Sequence, residues 1–262
     1  MNPIPAVLSI DQGTTGTMAM VVGRDGRILG KAYSEFTQYV PEPGWLEHDA
    51  TEIWEVTRRV SQTALRNAGN EARVEGIGIT NQRETVVVWD RTTLEPLHRA
   101  IVWQDRRTTT ICEELKGRGL EEEVRRRSGL LLDPYFSGTK LTWLFRRDPE
   151  LLARAVAGEL AFGTVDSWLI ARLTGGAVHA TDHTNASRTL LYNLELKTWD
   201  PALLDALGVP AAVLPEVRKS SGSFGFTRGE ALDLEVPVAG VAGDQQAALF
   251  GQGCWSPGLA KN

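Results

Sequence analysis

The sequence predicts an α/β fold in which a mixed β-sheet is covered by helices. Short apolar runs separated by tight turns open the chain, a pattern typical of antiparallel hairpins. Later apolar runs alternate with segments of helical periodicity, which is typical of parallel βα units. The chain has 262 residues, of which 42% are hydrophobic and 23% are charged. It is therefore long enough and apolar enough to bury a sizeable core without a disulfide or a structural metal.

The first forty residues predict strands. Ala6–Ile10 is an apolar run that stops at a polar turn beginning with Asp11. Met18–Val22 is a second run that stops at a glycine turn, and Arg27–Val40 is expected to supply a third strand. Runs this close together, joined by turns, favour antiparallel pairing at the start of the sheet.

An amphipathic helix is predicted to begin after Asp49. Asp49 can cap the first turn, and Glu52 stands at the spacing of a capping box. Apolar residues recur at helical spacing along this segment: Ile53, Val56, Val60 and Ala64. Gly69 follows the last of them and can end the helix, because glycine adopts the left-handed conformation without strain.

The remaining elements alternate between the two types. Further strands are predicted at Gly76–Ile79, Thr85–Trp89, Ala100–Trp103 and Val236–Ala242. Further helices are predicted at Asp105–Leu115, from Ser137 to Pro149, at Val165–Leu173, at Pro201–Leu207 and at Asp244–Phe250. Asp105 and Ser137 are expected to cap two of these helices. Residues 219–230 are rich in Ser, Gly and Thr and predict an exposed loop.

Charge and cysteine content exclude several classes of protein. The chain carries 28 basic and 33 acidic residues, a net charge of −5, which disfavours nucleic acid as a partner. Its two cysteines, Cys112 and Cys254, lie too far apart for a metal-binding motif and suit a reducing cytoplasm. The first residues lack the pattern of a signal peptide, and no apolar run reaches the length of a membrane span.

A candidate phosphate-binding loop follows the first strand. Asp11 ends the strand, and Gly13, Thr14, Thr15 and Gly16 come directly after it. Glycine lets backbone N–H groups approach a phosphate, the threonine hydroxyls add donors, and the aspartate can hold Mg²⁺ through water. A plain β-turn is the alternative, since Asp, Gly and Thr are common turn residues.

A second acidic residue, Asp244, stands where a predicted strand passes into a helix. It could be a helix cap, because carboxylates are favoured at helix N-termini. It could instead be a general base that takes a proton from a hydroxyl group. Both interpretations stay open from the residues alone.

Two further groups of residues could bind a polyol. Arg83 and Glu84 lie in a polar run between two strands. They could supply hydrogen-bond donors and an acceptor to a polyol, or they could form only a solvated ion pair. Trp103 and Tyr135 could pack against a ligand or could simply belong to the core.

Together, a series of strings resembles one family. The strings are Asp11–Thr15, Pro43–Asp49, Gly78–Glu84, Ile101–Gln104, Asp133–Lys140, Phe162–Asp166, Thr181–Asp182, Thr184–Thr189, Leu214–Val217 and Gly243–Gly251. In this order they resemble the N-terminal half of the glycerol kinases of the FGGY carbohydrate-kinase family. The resemblance implies an actin-like, ribonuclease-H-like ATPase fold, with a mixed sheet and helices on both faces. It also implies transfer of the γ-phosphate of ATP to glycerol, giving sn-glycerol 3-phosphate, in an enzyme that forms homo-oligomers at full length.

The resemblance also implies domain boundaries and residue roles. Residues 1–250 would form the N-terminal domain, and 251–262 would begin a second, nucleotide-binding domain, so this chain alone would not build a complete ATP site. The glycerol hydroxyls would be bound by Arg83, Glu84, Tyr135, Asp244 and Gln245, with Trp103 packing on the carbon backbone and Asp244 acting as base. The nucleotide phosphates would be bound by Gly13, Thr14, Thr15 and Gly16, with Asp11 serving Mg²⁺.

One departure from the family concerns the first loop, because Met18 stands where members usually carry an arginine. Two rival functions therefore stay open. The chain could belong to an FGGY kinase for another polyol or a pentulose, or it could be a non-catalytic binding protein of actin-like fold.

Overall fold

The computed structural model describes residues 2–260. The strands are β1 (Ile4–Gln12), β2 (Gly16–Gly23), β3 (Ile28–Glu35), β4 (Glu47–His48), β5 (Ala72–Asn81), β6 (Val87–Asp90), β7 (Ala100–Ile101), β8 (Leu160–Gly163), β9 (Ala180–Asp182), β10 (Tyr192–Asn193), β11 (Thr198–Trp199), β12 (Glu216–Arg218) and β13 (Val238–Gly243). The helices are α1 (Ala50–Ala68), α2 (Thr109–Gly117), α3 (Glu121–Ser128), α4 (Ser137–Arg147), α5 (Pro149–Val156), α6 (Val165–Leu173), α7 (His183–Ala186), α8 (Pro201–Leu207), α9 (Gly229–Leu232) and α10 (Asp244–Gly251). Two short 3₁₀ helices lie at Gly69–Glu71 and Ala211–Val213.

The central sheet is mixed, as the sequence predicts. Its strand order is β13-β5-β1-β2-β3. The first three strands form antiparallel pairs, β1 with β2 and β2 with β3. On the other side, β5 runs parallel to β1, and β13 runs parallel to β5. Connections of three and four residues suffice for the two hairpins, whereas the parallel pairs need long crossovers, and the helices lie in those crossovers.

One face of this sheet is covered by α1 and α6. Asp49 caps α1 as predicted, because its side chain accepts hydrogen bonds from the N–H groups of the first turn. The capping box does not close, since Glu52 instead accepts hydrogen bonds from the backbone and hydroxyl of Thr37 at 3.1 and 3.0 Å. The indole of Trp168 in α6 donates to the carbonyl of Ala50 at 2.8 Å and ties the two helices together. The apolar stripe predicted for α1 is buried in the core between this helix and the sheet.

The opposite face of the sheet carries α7 and α10 beside β13. Between them and the sheet lies a groove of about 500 Å³, lined by small residues such as Gly78 and Gly240 and by Phe250. Val7, further along β1 on this face, is 49% exposed. Helices therefore lie on both faces, but within residues 2–260 they cover the second face only in part.

A second hydrophobic core lies beyond β6. Val87 and Trp89 of β6 point into the core under the central sheet, and Val86 and Val88 point into the second core, among α2, α4, α5 and α8. Side chains alternate along a strand, so a strand buried on both faces must be apolar throughout, which accounts for the continuous run here. Among the helices within residues 2–260, none has the length and apolar composition that a membrane crossing requires.

Three local predictions are wrong. Ser137 does not cap α4, because it is the first residue of the helix, Phe136 stands at the N-cap, and no side chain among the described residues caps this end. The helix predicted from Asp105 begins four residues later, at Thr109, because the Asp105 carboxylate accepts hydrogen bonds from the buried guanidinium of Arg107 and from a distant backbone N–H. The predicted loop at 219–230 is not exposed throughout. Phe224 and Thr227 are fully buried and anchor this segment against the core.

The close approach of β3 to α1 generates a testable prediction. A methyl group at Gly30 would overlap the backbone carbonyl of Ala64 and lie 2.8 Å from the backbone nitrogen of Ala68, neither of which can move independently of α1. We expect Gly30→Ala to lower the free energy of unfolding by about 3 kcal/mol, at the upper end of overpacking effects. Urea unfolding measures this, with Gly78→Ala as the control, because a methyl group there meets no atom within 4 Å. Equal stability of the two variants would contradict the prediction.

Candidate active site

Three parallel strands end side by side and bring the predicted site residues together. Gln12 at the end of β1 pairs with Asn81 at the end of β5, and Asn81 also pairs with Gly243 at the end of β13. The segments that follow, 13–16 and 82–85, therefore leave the sheet at the same edge as the start of α10. Open α/β sheets bind ligands at this kind of edge, because loops from several strands converge there.

The loop after β1 is a tight turn with two backbone N–H groups that are unpaired in the part of the chain that the structure describes. The N–H of Gly13 donates to the carbonyl of Gly16 at 3.0 Å and closes the turn. The N–H groups of Thr14 and Thr15 donate to no acceptor within residues 2–260. Gly16 is itself buried, and a side chain there would meet the Tyr33 hydroxyl at 2.6 Å. Close packing against β3 thus accounts for this glycine, and its role toward a nucleotide stays a prediction.

The Arg83–Asp244 pair joins two of the strand ends. The Nε of Arg83 donates to Oδ1 of Asp244 at 3.1 Å, and the arginine side chain is 4% exposed while the aspartate is 49% exposed. Gly243 permits this contact, because any side chain there would overlap the aliphatic part of Arg83. The N-cap of α10 is Gly243 rather than Asp244. Oδ2 of Asp244 accepts no hydrogen bond within residues 2–260 and is free to bind a proton donor.

Glu84 is held in an unusual backbone conformation beside this pair. Its φ of 63° lies in the left-handed region, which costs a residue with a side chain about 1–3 kcal/mol. The hydroxyl of Ser137, the first residue of α4, donates to the Glu84 carbonyl at 2.9 Å. The Nε of Arg188 donates to the Glu84 carboxylate at 2.7 Å. Burial nevertheless raises the pKa of Glu84, and the negative charge of Asp244 raises it further.

An aromatic wall faces these polar groups. The rings of Trp103 and Tyr135 lie 5.4 Å apart. Burial raises the pKa of Tyr135, and so does the nearby charge of Glu84. Arg188 also lies against this wall, with its guanidinium 5.8 Å from the ring centre of Tyr135. The structure therefore groups Arg83, Glu84, Trp103, Tyr135 and Asp244, with apolar faces on one side and hydrogen-bonding groups on the other.

Two residues that contact this group were not predicted from the sequence. Arg188 lies within the string Thr184–Thr189, which could have pointed to it, because an arginine among small polar residues is often an anion or carboxylate partner. Gln246 is the glutamine whose Oε1 accepts a hydrogen bond from Arg83, at 3.3 Å. The side chain of Gln245, predicted to bind substrate, is exposed and makes no hydrogen bond within residues 2–260.

The carboxylates of Asp11 and Asp244 both lie at this end of the sheet. Burial raises the pKa of Asp11, and the charge of Asp244 raises it further. No group of three or more His, Cys, Asp or Glu side chains within residues 2–260 could hold a metal ion by itself. Two carboxylates do fit Mg²⁺, which keeps several waters and is shared with phosphate oxygens. Met18 pairs directly with Asp11 across β1 and β2, so this methionine contributes no positive charge at that point.

His48 lies buried beneath the loop after β1. Its Nε2 lies 2.8 Å from Oε1 of Gln38, and its Nδ1 lies 3.5 Å from Nε2 of Gln82. Burial lowers the pKa of His48 to about 4, so the ring is neutral at physiological pH. A neutral ring can donate from Nε2 to Gln38, while its Nδ1 lies beside the amide of Gln82, so the ring lies between two side chains that contact the loop.

The fold and this group of residues define a domain of the sugar-kinase type. Residues 6–251 match the N-terminal domain of the FGGY family of carbohydrate kinases. The chain belongs to the FGGY family. It is 59% identical over 260 residues to the glycerol kinase of Alcanivorax borkumensis and 58% identical over 257 residues to that of Alkalilimnicola ehrlichii. These alignments cover 99% and 98% of this chain but 52% of each relative, so the chain spans about half the length of the curated relatives it matches.

Solved structures share the fold. The crystal structure of Plasmodium falciparum glycerol kinase with ADP superimposes with a TM-score of 0.94 at 33% identity, covering 98% of this chain and 52% of that one. The structure of xylulose kinase from Rhodospirillum rubrum superimposes with a TM-score of 0.89 at 25% identity, covering 97% and 52%. The predicted actin-like ATPase fold with a mixed sheet is confirmed by these neighbours.

The lowered pKa of His48 generates a prediction for stability. Its pKa of about 4 lies below the 6.5 of an unfolded histidine, so the unfolded chain binds the proton first as the pH falls. The stability that His48 contributes is present above pH 6.5 and is lost progressively toward pH 4, by at most about 3 kcal/mol. We expect the free energy of unfolding to fall more steeply across this range in the parent than in His48→Gln. Urea unfolding at several pH values measures both slopes, and parallel slopes would contradict the prediction.

Proposed function

We propose that the chain is the N-terminal domain of an ATP-dependent glycerol kinase, with residues 1–250 forming the domain and 251–262 beginning the next one. Relatives named glycerol kinase are more than half identical to it over nearly its whole length. The similarity to the xylulose kinase is lower, at 25% identity. This difference supports glycerol over a pentulose as the acceptor, and the grouped site residues support a catalytic over a purely binding role.

The polyol would bind between the aromatic wall and the charged groups. Trp103 would pack on its carbon backbone, and Tyr135 would hydrogen-bond one of its hydroxyls. Arg83 would donate to one hydroxyl, and Glu84 would accept from another, because these groups keep unpaired donor or acceptor capacity on the site side. Gln245 would join them only if its exposed side chain turned inward on substrate binding.

Asp244 would be the general base. The observation that carries this role is the free Oδ2 of a carboxylate whose other oxygen is held by a buried arginine. That arrangement orients the carboxylate and leaves one oxygen to accept the proton of a terminal hydroxyl. As the hydroxyl oxygen attacks the γ-phosphorus of ATP, the bond to the β-phosphate oxygen breaks, and the proton passes to Asp244.

The loop after β1 would bind the nucleotide phosphates. The free N–H groups of Thr14 and Thr15 support this role, with Gly13 and Gly16 shaping the turn. Asp11 would hold Mg²⁺ through water, at the same end of the sheet as Asp244. When bound, Mg²⁺ would neutralise negative charge that develops on the transferring phosphoryl group.

Localisation and assembly are part of the same proposal. The enzyme would be cytoplasmic, which the two free cysteines support, since disulfides are rare in that compartment. We further propose that the whole enzyme self-associates. Ile28 and Tyr33 on the edge strand β3 are 58% and 50% exposed and offer an apolar surface for a second copy.

The acceptor is tested with the full-length enzyme and a coupled assay for ADP release. We expect kcat/KM for glycerol to exceed that for D-xylulose and gluconate by a factor of about 10³, because an acceptor of the wrong shape leaves buried polar groups unpaired. Phosphorylation of D-xylulose at the higher rate would assign the protein to another branch of the family. No phosphorylation of any polyol would favour the binding-protein alternative.

The base is tested with Asp244→Asn in the same full-length enzyme. Asparagine preserves size and can still accept a hydrogen bond from Arg83, but it cannot take a proton at neutral pH. We expect kcat to fall about 10²-fold or more, with the midpoint of thermal unfolding close to that of the parent. Glycerol binding should weaken only modestly. Activity within a few-fold of the parent would exclude Asp244 as the base.

A further inference from the structure

The candidate phosphate loop is held from below through its carbonyl groups. The carbonyl of Gly13 accepts hydrogen bonds from the side-chain amides of Gln12 at 2.7 Å and Gln82 at 3.1 Å. The carbonyl of Thr14 accepts a hydrogen bond from the side-chain amide of Gln38 at 3.0 Å. Successive peptide planes are linked, so carbonyls that point inward favour N–H groups that point outward.

His48 sets the orientation of the Gln38 amide, and neighbouring groups set that of the Gln82 amide. Its protonated Nε2 donates to Oε1 of Gln38, so the NH₂ group of Gln38 must point the other way, toward Thr14. The NH₂ group of Gln82 donates to the Gly13 carbonyl and to Oε1 of Gln12, each at 3.1 Å, and lies 3.5 Å from Nδ1 of His48. Oε1 of Gln82 accepts from the hydroxyl of Thr85 at 2.9 Å. Each group therefore has a single consistent donor or acceptor role, which fixes both amide rotamers.

We propose that Gln38, His48 and Gln82 form an amide clamp that positions the loop for the nucleotide phosphates. The clamp residues are positioning residues, because they would act through the loop and touch no substrate. The inference rests on the proposed kinase function and deepens it. It gives a role to the buried histidine of the Pro43–Asp49 string and to Gln82 of the Gly78–Glu84 string, neither of which the polyol site uses.

Gln38 offers the cleanest test. It is exposed, so its replacement leaves the core intact, and it makes no hydrogen bond to Arg83, Glu84, Tyr135 or Asp244. Gln38→Met has nearly the same size and shape but lacks both the amide donor to Thr14 and the amide oxygen that accepts from His48. In the full-length enzyme we expect this variant to raise KM for MgATP about tenfold, with KM for glycerol close to the parent value. The midpoint of thermal unfolding should fall by only a few degrees, because Nε2–H of the buried His48 loses its acceptor. Calorimetric titration with MgADP at saturating glycerol should show the same weakening.

Gln62→Met is the matched control. Gln62 lies on α1 and contacts only Asp233, far from the loop in the structure, so its KM values should equal those of the parent. A Gln38→Met enzyme with an unchanged KM for MgATP would overturn the clamp while leaving the kinase proposal intact. Equal increases in both KM values would also overturn it, since they would indicate general loosening. A parent enzyme that phosphorylates no polyol would instead refute the proposed function.

Discussion

The parallel pairing of β1, β5 and β13 is the constraint on which the rest of the site depends. Gln12, Asn81 and Gly243 end their strands in register, so three separate loops leave the sheet within a few ångströms of one another. Backbone hydrogen bonds fix this register, and the apolar side chains that alternate into the core under α1 and α6 prevent a slip by one residue. Every contact between the loops follows from that alignment.

The charges at this edge are balanced in pairs rather than dispersed. Arg83 is buried and must find a partner, and Asp244 supplies one oxygen to it. Arg188 in turn supplies a cationic partner to Glu84, whose side chain is 2% exposed. The carboxylate of Asp11 has no cationic partner within residues 2–260, and Met18 beside it supplies none. The negative charge of Asp11 is thus available to a magnesium ion, which would also bind the nucleotide phosphates.

Rigid supports surround this edge on the inner side. Gln38, His48 and Gln82 lie under the loop after β1, and Ser137 at the start of α4 holds the strained backbone at Glu84. On the outer side, α10 has no buried residue within the part of the chain that the structure describes. Preorganised groups cost no reorganisation energy when a substrate binds, so rigid support of this kind suits a site that works by positioning and charge stabilisation.

The sequence by itself determined the strands of the central sheet, helix α1 and their order, whereas α3, α5 and β8 were not predicted. Asp49 and Gly69 at the ends of α1 are local signals, and so are the hairpin turns at the start of the chain, because each depends on neighbouring residues only. The motif strings likewise indicated Asp11, Arg83 and Asp244. Tertiary structure decided what is non-local. The sequence could not indicate that Arg188 would contact Glu84, which lies 104 positions earlier in the chain. Nor could it indicate that Gln246 rather than Gln245 would contact Arg83. It also could not show that Asp105 would pair with Arg107 instead of capping a helix. Those outcomes depend on which polar groups burial leaves without water, and that is settled only when the whole chain has packed.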